Sequence, residues 1–133
     1  MKSKFIGANK LKLYASYSRS DLGYGGTRLA LMRINEQEKI GFFNLGDIYD
    51  NRLTKKGFIL APRANLNNEQ FIAELRKCTT YLFLRNGNRG DYYYVGTSNH
   101  LIRHDETHLL LKLNVKAIPV KIVKELGGFQ HLT

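Results

Sequence analysis

A chain of 133 residues is long enough for one domain with a real core but hardly for two. Its 43% hydrophobic and 24% charged residues argue against disorder, and no apolar run approaches the ~20 residues of a membrane span. Lysine and arginine total 21 against 11 aspartate and glutamate, a net charge of +10, which favours polyanions as partners: nucleic acid first, an acidic protein surface second.

The opening Met1-Lys-Ser-Lys-Phe-Ile-Gly-Ala8 is charged and has no apolar stretch of signal-peptide length, so a cytoplasmic protein is expected. Lys10-Leu-Lys-Leu-Tyr-Ala-Ser-Tyr-Ser18 alternates, with Leu11, Leu13, Ala15 and Tyr17 on one face, as in a half-buried strand. Leu22-Gly-Tyr-Gly-Gly-Thr27 is glycine-rich. It lacks the spacing and the Lys-Ser/Thr of a phosphate-binding loop and reads as a turn. Arg28–Ile34 and Lys39–Leu45 read as a hairpin around the polar turn Asn35-Glu-Gln-Glu38. Residues 46–66 carry Arg52, Lys55, Lys56 and Arg63 and read as irregular. A helix follows over 67–78, with Asn67 as cap and Phe71, Ile72, Leu75 and Cys78 on one face. Cys78 is the sole cysteine, so neither an intrachain disulfide nor a cysteine-based zinc site is possible. It reads as a small buried hydrophobe rather than a thiolate activated by Arg76 and Lys77.

Thr80–Arg85 and Asp91–Val95 form a second hairpin around Asn86-Gly-Asn-Arg-Gly90. After a polar loop, Thr107–Asn114 is a further strand. Ile118–Leu126 is a short helix with Pro119 in its first turn and Gly127-Gly128 beyond its end. The order β-β-β-α-β-β-β-α predicts an α+β fold with one strongly bent, mainly antiparallel, barrel-like sheet and two short helices.

Several groups could carry chemistry. His100, His104 and His108 recur every four residues beside Asp105, but His108 opens a β-like run that breaks helical spacing, so they read as loop histidines. Asp21 with Gln37-Glu38-Lys39 has the residue types of a metal-dependent nuclease; a charged hairpin tip explains them as well. The 80–97 hairpin is richest. Tyr81, Phe83, Tyr92, Tyr93 and Tyr94 put rings on both faces of the ribbon, with Arg85 and Arg89 at its tip. Rings stack on bases while arginine pairs with phosphates or guanine edges. Alternation leaves only one of the two aromatic faces to be exposed.

Leu82-Phe-Leu-Arg85, Tyr92-Tyr-Tyr-Val-Gly96, Leu109-Leu-Leu-Lys-Leu113 and Ile118-Pro119, over residues 80–126, resemble the C-terminal SRA/PUA-like domain of helicase-containing restriction enzymes that act on modified DNA. The resemblance implies a reader that admits a flipped modified cytosine to an aromatic pocket, with Tyr93 or Tyr94 stacking and Arg85, Arg89 and Arg103 on phosphates. Helicase and nuclease domains have no place in these residues, so binding without cutting, or cutting with a partner, is implied.

Tyr81-Leu-Phe83 and Tyr94-Val-Gly96, followed by Arg103, His104 and Glu125, resemble the motifs of a small GIY-YIG nuclease. That family would use a tyrosine to activate water, arginine on the phosphate and glutamate on a metal. The first motif lacks its glycine. A small inhibitor or adaptor that binds a protein partner is the third reading. The expectation is therefore a nucleic-acid-binding module, DNA favoured, contacting its ligand through Arg85, Arg89, Tyr92, Tyr93, Tyr94, Arg103, Lys55 and Lys56. No catalytic residue, metal or cofactor is expected.

Overall fold

The computed structural model describes residues 8–46, 50–61, 69–114 and 117–129. In chain order the elements are β1 (Ser16–Tyr17), β2 (Leu31–Arg33), β3 (Glu38–Leu45), β4 (Arg52–Thr54), β5 (Gly57–Leu60), α1 (Glu69–Lys77), β6 (Thr79–Asn86), β7 (Tyr92–Ser98), β8 (His100–Arg103), β9 (Leu109–Lys112) and α2 (Val120–Glu125). Single 3-10 turns lie at Ala8–Lys10 and Ser20–Leu22.

Among the segments that place apolar residues consecutively rather than alternately are Ile40-Gly-Phe-Phe43 and Tyr81-Leu-Phe-Leu84. Such runs need cover on both faces, and they receive it. They pair in parallel, Ile40 beside Tyr81 and Phe43 beside Leu84, at the heart of a five-stranded sheet ordered β1-β7-β6-β3-β2. Parallel neighbours require a crossover; here the chain makes β4, β5 and α1 between them. A second sheet, β4-β5-β9-β8, is antiparallel throughout.

The main core lies where the two sheets and both helices meet. Phe43, Leu45, Leu82, Leu84 and Val95 from the first sheet meet Leu53, Phe58, Leu60 and Leu109 from the second, with Ile72, Leu75, Ile122 and Val123 from the helices. The opposite face of the first sheet carries an aromatic cluster of Phe42, Tyr81, Phe83, Tyr92 and Tyr94, capped by Leu22 and Tyr24 of the glycine-rich loop. Phe83 touches three rings there: Phe42 at 5.2 Å, Tyr94 at 5.0 Å and Tyr17 at 6.0 Å. Offset and edge contacts of this kind add to the area they bury.

The fold is α+β and mainly antiparallel, with two helices in the expected places. The strands form two sheets, neither of them closed, so the barrel-like description is met only loosely. Three expectations are corrected. Residues 10–18 are not a strand: only Ser16 and Tyr17 pair, opposite Tyr93 and Tyr92, and Leu13 is 44% exposed. Tyr14, whose N–H reaches the Tyr94 carbonyl, takes a left-handed φ of 66° that breaks the alternation. Part of the segment read as irregular forms the β4–β5 hairpin, and the polar loop contains β8. Those strands are three and four residues long, too short for a periodic signal. Asn67 and Arg63 lie outside the described residues. Cys78 is buried, as its apolar neighbours imply.

A polar clasp ties the β8–β9 turn to the start of β4. The buried His108 ring lies between two carboxylates, with Nδ1 3.0 Å from Asp105 and Nε2 3.0 Å from Asp50, while Arg52 grips Asp50 at 2.8 Å. The Arg52 hydrogen bond, then His108, holds the Asp50 carboxyl below its usual 3.8. The Thr107 backbone N–H, then His108, holds Asp105 well below the usual carboxylate range.

A depressed carboxylate stabilises the fold above its ordinary pKa and loses that contribution as pH falls through the folded value. The thermal midpoint is therefore expected to fall below about pH 4, more shallowly in Asp105→Asn; identical acid limbs in both proteins would contradict the clasp. The β5–β9 contact gives a second test. Gly57 has φ 147°, and a Cβ there would meet the Leu111 carbonyl oxygen at 2.5 Å. Gly57→Ala is expected to lower unfolding free energy by more than ~1 kcal/mol, and Phe83→Ala by roughly 3–5 kcal/mol, both read by urea denaturation.

Candidate functional site

β2 pairs with β3 only from Lys39 to Gly41, and the last bond along that edge runs from the Phe42 N–H to the Ala30 carbonyl at 2.7 Å. Beyond it the pairing with β2 ends, and the Asn44 carbonyl accepts from the Asn51 side chain at 3.4 Å. Here lies a cleft of about 670 Å³, walled by residues 27–31 on one side and by Asn51, Leu60, Ala61 and Phe71 on the other. Among the described residues its lining includes Arg19, Arg28, Lys39 and Arg85 and no carboxylate.

The glycine-rich loop is a turn and not a phosphate cradle. Gly23 takes φ 87° to close the Ser20–Leu22 turn. Tyr24 returns its N–H to the Arg19 carbonyl at 2.8 Å, and Leu22 and Tyr24 are buried against the aromatic cluster. This anchoring fixes the backbone of Arg19, whose guanidinium carbon lies 4.7 Å over the Phe42 ring and 5.7 Å from Tyr92. Its Nη1 donates to the Leu29 carbonyl at 2.8 Å.

Arg85 comes from the other direction. Alternation along β6 places it on the face of Tyr81 and Phe83, and the parallel register sets it beside Asn44. Its guanidinium carbon sits 4.3 Å over the Tyr92 ring; Nε donates to Asn44 Oδ1 at 2.7 Å and Nη1 to the Gly90 carbonyl at 2.9 Å. Two guanidiniums thus rest on one tyrosine ring.

The electrostatics follow. Among the described residues no carboxylate lies within ion-pair distance of Arg19, Arg28 or Arg85, whereas Lys39 meets Glu74 at 3.4 Å. Ring stacking contributes ~0.5–2 kcal/mol per cation but leaves its charge intact. Guanidinium has five N–H donors. Arg19 and Arg85 each direct Nη1 at a carbonyl and Nε at a side-chain oxygen, Arg19's at a long 3.4 Å, so Nη2 on both remains available to an anion. Two rigid, uncompensated, planar donor sets at one opening suit phosphate or carboxylate oxygens.

Of the residues expected from sequence, Arg85 and Tyr92 line this cleft. Arg89 is exposed in the neighbouring turn, whose Gly90 carbonyl anchors Arg85. Lys55 and Lys56 are exposed at the β4–β5 turn, the far end of that hairpin from the cleft residues Asn51 and Ala61. Arg103 ends β8 in the second sheet.

The aromatic expectation changes most. Tyr92 and Tyr94 are 2% and 8% exposed and belong to the buried cluster, while Tyr93 points the other way and packs half-buried on the main core. No open aromatic face stands on this ribbon, because the glycine-rich loop covers one side and the second sheet and helices the other. Burial raises the phenol pKa of Tyr94, and burial followed by the hydrogen bond to Glu38 raises that of Tyr81.

The nuclease-like sets are dispersed. Asp21 accepts from the Ser18 N–H, Glu38 holds Tyr81, and Lys39 pairs with Glu74. Arg103 and Glu125 lie in β8 and α2. Among the described residues no three of His, Cys, Asp and Glu gather as a metal site, and no helix is long and apolar enough to cross a membrane.

The sequence reading missed Arg19 and Arg28, and named Lys39 only in the nuclease-like set. Arg19 and Arg28 bracket the glycine-rich loop, which was the available signal. No protein-family model matches the chain, and no curated protein does.

If Arg19 and Arg85 are both held by Tyr92, Tyr92→Leu is expected to weaken inorganic phosphate or sulfate binding severalfold or more in a protein that is less stable but still folded. The check is a sulfate titration followed by the arginine side-chain NMR signals; unchanged affinity would contradict the ring's positioning role.

Proposed function

We propose that this protein is a nucleic-acid-binding module, with DNA as its polyanion, and that the cleft between Arg19 and Arg85 anchors the phosphate backbone. The observation that carries the reading is a lining that, among the described residues, has four basic side chains and no carboxylate, and in which two arginines lie against the Tyr92 ring.

The chemistry runs in two stages. A net charge of +10 draws a polyanion in and releases its condensed counterions, a gain that does not depend on sequence. Exposed Arg28, Arg89, Lys55, Lys56 and Arg103 serve this stage. The recessed arginines act in the second, because donors already held in place lose little side-chain freedom on binding. Asn44 and Asn51 line the same space, but Arg85 occupies Asn44 Oδ1, and Asn51 is bonded to the Asn44 carbonyl and the Ala61 N–H. Those commitments favour backbone recognition over base reading.

A small adaptor for an acidic protein would use the same charge, and competition separates the two. Affinity for a labelled DNA oligonucleotide is expected to fall linearly in log–log form with salt. Arg85→Ala should weaken binding to unrelated sequences alike, by about tenfold or more. A flat salt response, or an Arg85→Ala protein that binds as well as the parent, would overturn the proposal.

A further inference from the structure

We infer that the strand held in this cleft is unpaired, with a backbone phosphate on Arg19 and Arg85 inside and the adjoining base outside against Leu29. The inference rests on the nucleic-acid reading above and adds the ligand's form.

Depth makes the first argument. Arg19 and Arg85 are only partly exposed, and both lie against the buried Tyr92 ring. Duplex DNA is stiff over ~150 base pairs and carries its phosphates on a convex surface. Such a surface can touch Arg28 and Arg89, which stand exposed, but it cannot lower a phosphate to the back of a recess. An unpaired strand bends at every nucleotide and can.

The mouth makes the second. Leu29 is 67% exposed, lines the cleft, follows the exposed Arg28, and uses its own carbonyl to hold Arg19. A phosphate on Arg19 therefore brings the base of its nucleotide close to the Leu29 side chain. A paired base has both faces stacked within the helix, whereas an unpaired base exposes an apolar face that Leu29 can cover, removing both surfaces from water. Among the described residues Leu29 belongs to neither core cluster, so a polar substitution removes this contact while leaving those clusters intact.

The experiment compares three ligands at one salt concentration: a short single-stranded DNA, its duplex, and the same strand without bases. The single strand is expected to bind roughly tenfold tighter than the other two. Leu29→Ser should lower single-strand affinity to the duplex level without moving duplex affinity or the thermal midpoint, and Leu29→Met should restore it. Duplex binding equal to single-strand binding, or a Leu29→Ser loss shared by all three ligands, overturns the inference while leaving the nucleic-acid reading intact. Salt-dependent binding of none of the three overturns both.

Discussion

A guanidinium that gives up part of its hydration to lie on a ring, with no carboxylate nearby, is held at a free-energy cost that an arriving anion can recover. Among the described residues Arg19 and Arg85 are both in that condition beside Tyr92. Stacking and carbonyl hydrogen bonds fix their planes without neutralising them. Everything proposed about this protein follows from that uncompensated pair, and the aromatic cluster is best understood as its support.

The support has a topological origin. Pairing β3 and β6 in parallel aligns Phe42 with Phe83 and Asn44 with Arg85, while antiparallel β7 brings Tyr94 opposite Phe83 and leaves Tyr92 further along the same face. The β6–β7 hairpin therefore delivers Arg85 and the ring it rests on. The loop that covers the cluster delivers Arg19, because Leu22 and Tyr24 bury themselves beside Phe42. β2 pairs with only the first part of β3, from Lys39 to Gly41, which leaves space beyond it. Core packing and site construction are one event here, so substitutions in the cluster will disturb both.

The parts that depend on local pattern were legible in the sequence. The α+β class, the two helices, the β2–β3 and β6–β7 hairpins and the burial of Cys78 each follow from periodicity, turn residues or composition. Non-local arrangements were not. Nothing in Lys39–Leu45 and Thr80–Arg85 distinguishes a parallel pair from two antiparallel ones except their unbroken apolar runs. The short strands β4, β5 and β8 carry too few residues to show alternation.

The site divides in the same way. Arg85 and Tyr92 could be named because aromatic and cationic types recur within one hairpin. Arg19 is separated from Arg85 by 66 positions, and only the folded loop joins them. The rings of Tyr93 and Tyr94 looked available because a strand has two faces; the structure covers both, and the proposed recognition rests on arginines instead. The most direct measurement is a titration of the protein with single-stranded DNA, following the arginine Nε–Hε signals by NMR. The account predicts that Arg19 and Arg85 shift together and saturate at one salt-dependent midpoint. Movement at Arg76 and Arg103 alone, with Arg19 and Arg85 unchanged, would contradict it.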